Sequence, residues 1–191
     1  MTHSPFTAIY DACVLYPAPL RDFLMRLALS GCFRARWSAH ITDEWKRNLL
    51  DNRPDLTAEQ LDRTSSLMDR AIPDAVVTGY ESLIAGLVLP DADDRHVLAA
   101  AIRCNASVIV TFNRKDFPEE ALLPYGIEAQ HPDAFVDDLF DLEPAVVVAA
   151  ARRRREALKQ PPLTADRYLE ILRRQGMVQT CQSLDAYRAL L

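Results

Sequence analysis

Residues 94–117 read Asp-Arg-His-Val-Leu-Ala-Ala-Ala-Ile-Arg-Cys-Asn-Ala-Ser-Val-Ile-Val-Thr-Phe-Asn-Arg-Lys-Asp-Phe, and this stretch decides the fold class. In its first half Val97, Leu98, Ala101 and Ile102 recur at helical spacing, which predicts an alanine-rich helix running to Asn105. In its second half Ser107–Thr111 (SVIVT) is continuously apolar and β-branched, the mark of a strand buried on both faces of a parallel sheet. A polar segment, Asn113 to Asp116, follows the strand's C-terminal end. Helix, buried strand and polar loop in that order are a repeating unit of an α/β protein.

Working outward, the same alternation recurs. Thr7–Tyr10 (TAIY) predicts a first strand stopping at Asp11. Leu20, Phe23, Leu24, Leu27 and Ala28 predict a helix that begins after Pro17 and Pro19 and stops at Gly31. Phe33–Trp37 predicts a second strand, and Ile41–Asn52 a helix with Thr42 as its N-cap. Thr57–Ala71 reads as a helix between Pro54 and Pro73, Ala75–Thr78 as a third strand, and Tyr80–Ala85 as a short helix. Gly126–Ala129 is a last short strand. From Pro132 onward every pattern is helical: Asp133–Phe140, Pro144–Lys159, Thr164–Gln175 and Val178–Leu191, with Pro161–Pro162 as a hinge. The expectation is a largely parallel sheet in residues 1–140 and a helical extension in residues 141–191.

Composition sets the limits. The chain has 191 residues, 49% hydrophobic and 26% charged, as in a soluble domain with or without an appendage. Five glycines form neither GxGxxG nor GxxxxGK[ST], so the corresponding nucleotide-binding loops are excluded. Cys13, Cys32, Cys104 and Cys181 form no CxxC pair and read as small hydrophobes in a reducing compartment. The leading MTHSPFTAIYDA lacks the basic and apolar regions of a signal peptide, and no run approaches about 18 apolar residues. A cytoplasmic protein with no membrane span is expected. The net charge of −5 argues against nucleic-acid binding by bulk electrostatics. An acidic body still handles a polyanion if its acids are concentrated around a cation.

The acids are concentrated by structural position. Asp11 and the Asn113–Asp116 loop both follow strand C-termini, the rim where open α/β sheets bind ligands. An Asp after a strand also serves as a turn former or helix N-cap. Asp94 precedes Val97 and Leu98 by three and four residues, which puts it at the end of the buried stripe of its helix. The alternative is an acid favoured by the helix dipole, a role that Asp91 or Asp93 fills as well. Glu44 borders the apolar side of its helix but is not in register for a capping box with Thr42, and a surface Glu near the dipole is its alternative. Converging carboxylates repel unless a cation neutralises them. Oxygen donors without His or Cys suit Mg²⁺ or Mn²⁺, and such a site hydrolyses phosphodiesters.

Asp11-Ala-Cys-Val-Leu, Glu44 near a helix start, Asp94-Arg-His-Val-Leu-Ala-Ala-Ala and Thr111-Phe-Asn-Arg-Lys-Asp-Phe117, in that order, resemble the PIN-domain ribonucleases. The resemblance is particularly to toxins of VapBC-type toxin–antitoxin pairs, and it covers residues 7–140. It implies a three-layer α/β sandwich around a mainly parallel sheet, and a Mg²⁺- or Mn²⁺-dependent endoribonuclease. Asp11, Glu44, Asp94 and Asp116 would be catalytic, with Asp11, Asp94 and Asp116 holding the metal. Asn113 stands where family members often carry a second acid, and Cys13 where Asn or Ser is common; a thiol is a poor Mg²⁺ ligand. A cognate antitoxin and a homodimer are the implied partners, with the tail covering the sheet edge, building the dimer or receiving the antitoxin. The alternative is a PIN-fold interaction protein with little or no activity.

Among the remaining residues, Arg114 and Lys115 are placed to touch substrate phosphate. His40, His96 and His131 share no metal-binding spacing; His96 is expected to face away from the apolar stripe. Arg152–Arg155 spans a full helical turn, so the four arginines cannot all face one partner. Trp37 and Trp45 are expected in the core.

Overall fold

The structure is a computed structural model that describes residues 6–159 and 162–191. Pro161 of the expected hinge, and the first five residues, lie outside the described residues.

The chain begins with β1 (Thr7–Tyr10), α1 (Ala12–Leu15) and α2 (Ala18–Ala28), followed by β2 (Arg34–Ser38), α3 (Ala39–Asn52) and α4 (Ala58–Ala71). Next come β3 (Val76–Val77), α5 (Glu81–Ile84), α6 (Arg95–Arg103), β4 (Val108–Val110), α7 (Glu119–Leu122) and β5 (Glu128–Gln130). The helices α8 (Pro132–Leu142), α9 (Pro144–Ala157), α10 (Ala165–Arg174) and α11 (Val178–Asp185) complete the described chain with a closing 3₁₀ turn, Arg188–Leu190.

The five strands form one parallel sheet in the order β3-β2-β1-β4-β5. The register pairs Ile9 with both Arg36 and Ile109, so β1 sits at the centre. Burial follows the order. Every residue of β1 and β4 is buried, whereas the edge strands β3 and β5 are partly exposed. The chain winds outward from β1 through β2 to β3, then crosses back to β4 and on to β5. The connection therefore reverses between β1 and β4, and a crevice opens at their C-terminal ends.

Two local expectations are corrected. The third helix starts at Ala39, not Ile41, and its N-cap is Ser38, whose Oγ accepts from the Ile41 amide at 3.2 Å. Ser38 is also the last residue of β2 and has extended backbone, so the strand runs straight into the helix. Thr42 is consequently interior, and Glu44 stands in the second turn. The last helix also stops early, at Asp185 rather than continuing to Leu191.

The tail is packed into the same core. Helix α9 lies against α2, and α8 against both α9 and α11. Phe135 of α8 meets Phe33 edge-to-face at 5.1 Å, and Phe33 stacks on Phe6 at 5.8 Å. The start of α11 is tied down by Asp133, whose carboxylate oxygens accept from the Gln179 and Thr180 amides at 2.8 and 2.9 Å. Trp37 and Trp45 are fully buried, as expected.

Candidate active site

Asp11 is the first residue after β1, and its amide donates to the Val110 carbonyl of β4 at 3.1 Å. It therefore sits at the crevice between the two central strands. The residue is buried, 3% exposed, and both carboxylate oxygens accept hydrogen bonds from the protein. Oδ1 accepts from the Ala12 amide at 2.6 Å, which caps α1, while Oδ2 accepts from the Thr111 hydroxyl at 2.7 Å and from the Cys13 thiol at 3.1 Å. Burial pushes the Asp11 carboxyl up, the Thr111 and Cys13 bonds pull it down, and the nearby Glu44 pushes it up again. Asp11 thus takes the helix-capping role expected of an Asp after a strand, at the switch point of the sheet.

Thr111 is completely buried and works in two directions. Its Oγ1 donates to Asp11 and accepts from the Asn113 amide at 2.9 Å, so the loop after β4 is hung on the same hydroxyl that orients the carboxylate. The Cys13 Sγ adds a second tie by accepting from the Phe112 amide at 3.3 Å. Burial first, then the Asp11 carboxylate, drive the thiol upward, so it stays protonated and donates. Neither role was legible in the sequence, because both depend on β1 and β4 being neighbours.

Asp94 is at the N-cap position of α6 but makes no cap hydrogen bond. Its half-buried carboxyl is pushed up to about 7, first by burial and then by Asp11, Asp91, Asp116 and Glu44. Four of the expected acids are therefore close enough to act on one another. Asp116 lies in the 3₁₀ turn Arg114–Asp116, with its amide on the Asn113 carbonyl at 2.9 Å. Asn113, Arg114 and Lys115 are exposed beside it. Arg114 also borders a groove of about 460 Å³ between Phe117, Leu122, Ile127 and Glu128. Asp91 is an addition to the expected set: its Oδ1 accepts from the Asp93 amide at 2.9 Å, and its charge reaches Asp94.

His96 is a correction. Instead of turning to solvent it faces α3, with Nε2 lying 3.3 Å from Glu44 Oε2. His131 is structural: Nδ1 accepts from the Asp133 amide at 3.2 Å, and its ring packs against Phe112 at 5.1 Å. The arginine run is engaged within the chain at Arg154 with Asp22, at Arg155 with the Leu163 carbonyl, and at Arg152 with Glu156.

The donor chemistry, carboxylate oxygens only, fits a hard divalent cation. Positive charge among these acids would offset their mutual repulsion, which adds to burial in raising Asp94 to about 7. Among the described residues no group of three or more His, Cys, Asp or Glu is spaced to hold a metal ion directly. The acids thus approach within mutual electrostatic range but stand wider than a closed coordination shell.

A parallel sheet with its acids at the β1–β4 switch point is the arrangement of a PIN domain, and the chain belongs to that family: the PIN domain model matches residues 7–115. A second model, described as the VapC50 C-terminal domain, matches residues 132–186. The chain is similar to the protein named "Putative ribonuclease VapC50" of Mycobacterium tuberculosis (strain ATCC 25618 / H37Rv), with 45% identity over 101 residues. That alignment covers 53% of this chain and 59% of the relative, so it spans about three fifths of the relative's length. No solved structure matches the chain significantly.

Proposed function

We propose that this protein is a Mg²⁺- or Mn²⁺-dependent endoribonuclease, the toxin of a type II toxin–antitoxin pair acting in the cytoplasm. The observation that carries the reading is the Asp94 carboxyl, pushed up to about 7 by burial and four acidic neighbours at the switch point of a PIN-family sheet. A site that keeps like charges together against their repulsion is matched to a cation and a polyanionic substrate. The ribonuclease name of the mycobacterial relative supports the choice of RNA.

In this reading Asp11, Asp94 and Asp116 hold the cation, and Glu44 completes the acid set. When bound, the cation lowers the pKa of a water and stabilises the leaving oxygen of the phosphodiester. The chain's own groups do the positioning. Thr111 and Cys13 fix the Asp11 carboxylate. The Thr111 hydroxyl sets the course of the Asn113–Asp116 loop, from which Arg114 and Lys115 reach substrate phosphate and Asn113 offers an amide to the substrate. The cognate antitoxin and a second copy of the chain are the proposed protein partners, and residues 141–191 are proposed as a helical extension that buttresses the nuclease unit.

The alternative, an interaction protein of the same fold with little activity, is favoured by one observation. Asp11 Oδ2 already accepts from both Thr111 and Cys13, which leaves it less free to hold a cation.

Cleavage of a mixed RNA pool by the purified chain, with Mg²⁺, Mn²⁺ or EDTA, decides between the two. The expected result is cleavage with either cation, none with EDTA, and none for Asp11→Asn or Asp94→Asn. Folded protein, free of bound antitoxin, that cleaves nothing under any condition would establish the interaction module instead.

A further inference from the structure

Glu44 reaches the acid cluster from α3, and Asp94 from the start of α6. The two helices must keep a fixed spacing for both carboxylates to serve one centre. His96 spans that gap. It stands on the first turn of α6, two residues after Asp94, and its Nε2 lies 3.3 Å from Glu44 Oε2. The imidazole is more enclosed than its partner: its side chain is 15% exposed against 28% for Glu44. Its Nδ1 is buried with no hydrogen-bond partner.

A further layer fixes the ring. His40 of α3 meets His96 edge-to-face with centroids 5.4 Å apart. His40 is in turn held by the Tyr80 hydroxyl, 3.0 Å from its Nδ1. Enclosing an imidazole with one nitrogen unpartnered costs free energy that an outward-facing side chain avoids. What the position secures in return is the contact with Glu44. Of the two ring nitrogens it is Nε2 that has a carboxylate beside it, at ion-pair distance from Glu44.

We propose that His96 is a positioning residue for Glu44. It ties α3 to α6, occupies Glu44 Oε2 and leaves Oε1 for the acid cluster, while the Tyr80–His40 pair sets the tilt of the imidazole. This rests on the acid-site reading above and adds a residue outside the carboxylate set.

The test uses the full chain, calorimetric titration with Mn²⁺ and single-turnover RNA cleavage. The proteins are the wild type, His96→Ala, His96→Gln, Glu44→Gln and the His96→Ala/Glu44→Gln double variant. Residues that orient ligands in this way cost about 10–100-fold in metal affinity or activity when removed, and His96→Ala is expected to fall in that range. His96→Gln, whose amide N–H reaches the same carboxylate, is expected to recover most of the loss with an unfolding midpoint like the wild type. In the Glu44→Gln background His96→Ala is expected to cost nothing more, which a purely structural role does not produce. The proposal is overturned if His96→Ala matches the wild type in both assays, if its loss adds in full to that of Glu44→Gln, or if Gln gives no recovery. It is also overturned if Glu44→Gln is silent while Asp11→Asn and Asp94→Asn abolish Mn²⁺ binding. Silence of all three acid variants would instead remove the acid-site reading itself.

Discussion

Asp94 is pushed up by burial and by four acidic neighbours, and its position makes stability depend on pH in a definite direction. Its carboxyl titrates near 3.8 in an unstructured chain and at about 7 in the folded one. A raised acid contributes stability that is fully present below the unfolded pKa and is lost as pH rises through the folded pKa. Without divalent cation, the thermal midpoint is therefore expected to fall as pH climbs from about 4 to about 7. Asp94→Asn is expected to flatten that slope and to be the more stable protein at pH 7.5, as thermal unfolding scans in EDTA would show. A slope unchanged in Asp94→Asn would assign it to other groups. Much of this site was legible in the sequence at the level of single residues. Asp11, Asp94, Glu44 and Asp116 each stand beside a strand end or an apolar stripe, and that placement needs only local periodicity. The roles of Thr111, Cys13 and His96 were not legible, because each is defined by a partner on a different element. For Thr111 that partner lies 100 residues away.

At the scale of elements, the sequence marked strands and helices well where hydrophobic pattern and breakers agreed. It misplaced the start of α3 because Thr42 is a good capping residue, whereas Ser38, just beyond the expected strand Phe33–Trp37, is the residue that caps the helix. Capping is decided by which residue has extended backbone when the helix begins, and Ser38 does. The tail helices were predicted in nearly the right places, but their docking was not, since α8, α9 and α11 choose neighbours through long-range contacts. Asp133 shows how strongly one side chain can fix such a docking. It is buried on α8 and accepts from the Gln179 and Thr180 amides in the first turn of α11, where the helix dipole favours a negative charge. Asp133→Ala is expected to cost about 0.5–2 kcal/mol, the usual range for a lost helix cap. Asp133→Asn, which keeps one acceptor oxygen, should lose less. Urea denaturation of the two variants checks the order, and equal losses would show that the amides find other partners.

At the scale of the molecule, apolar side chains from both ends of the sequence share one core, from Ile9 and Phe23 to Leu172 and Leu184. Removing α9–α11 would uncover the faces of α2 and α8 that they cover. A chain ending at residue 142 is accordingly expected to aggregate or to lack a sharp thermal transition, seen by size-exclusion chromatography and circular dichroism. A monodisperse, cooperatively melting fragment would make residues 141–191 a true appendage. The order of the sheet has one more consequence, in the time during which the chain is made. Asp11 takes its orientation from Thr111, and β1 pairs with β4, so the centre of the sheet waits on a segment synthesised much later. At about 5–20 residues per second, the intervening 100 residues take about 5–20 seconds to emerge. Throughout that interval a nascent chain on its ribosome holds Asp11 without the hydroxyl that orients its carboxylate.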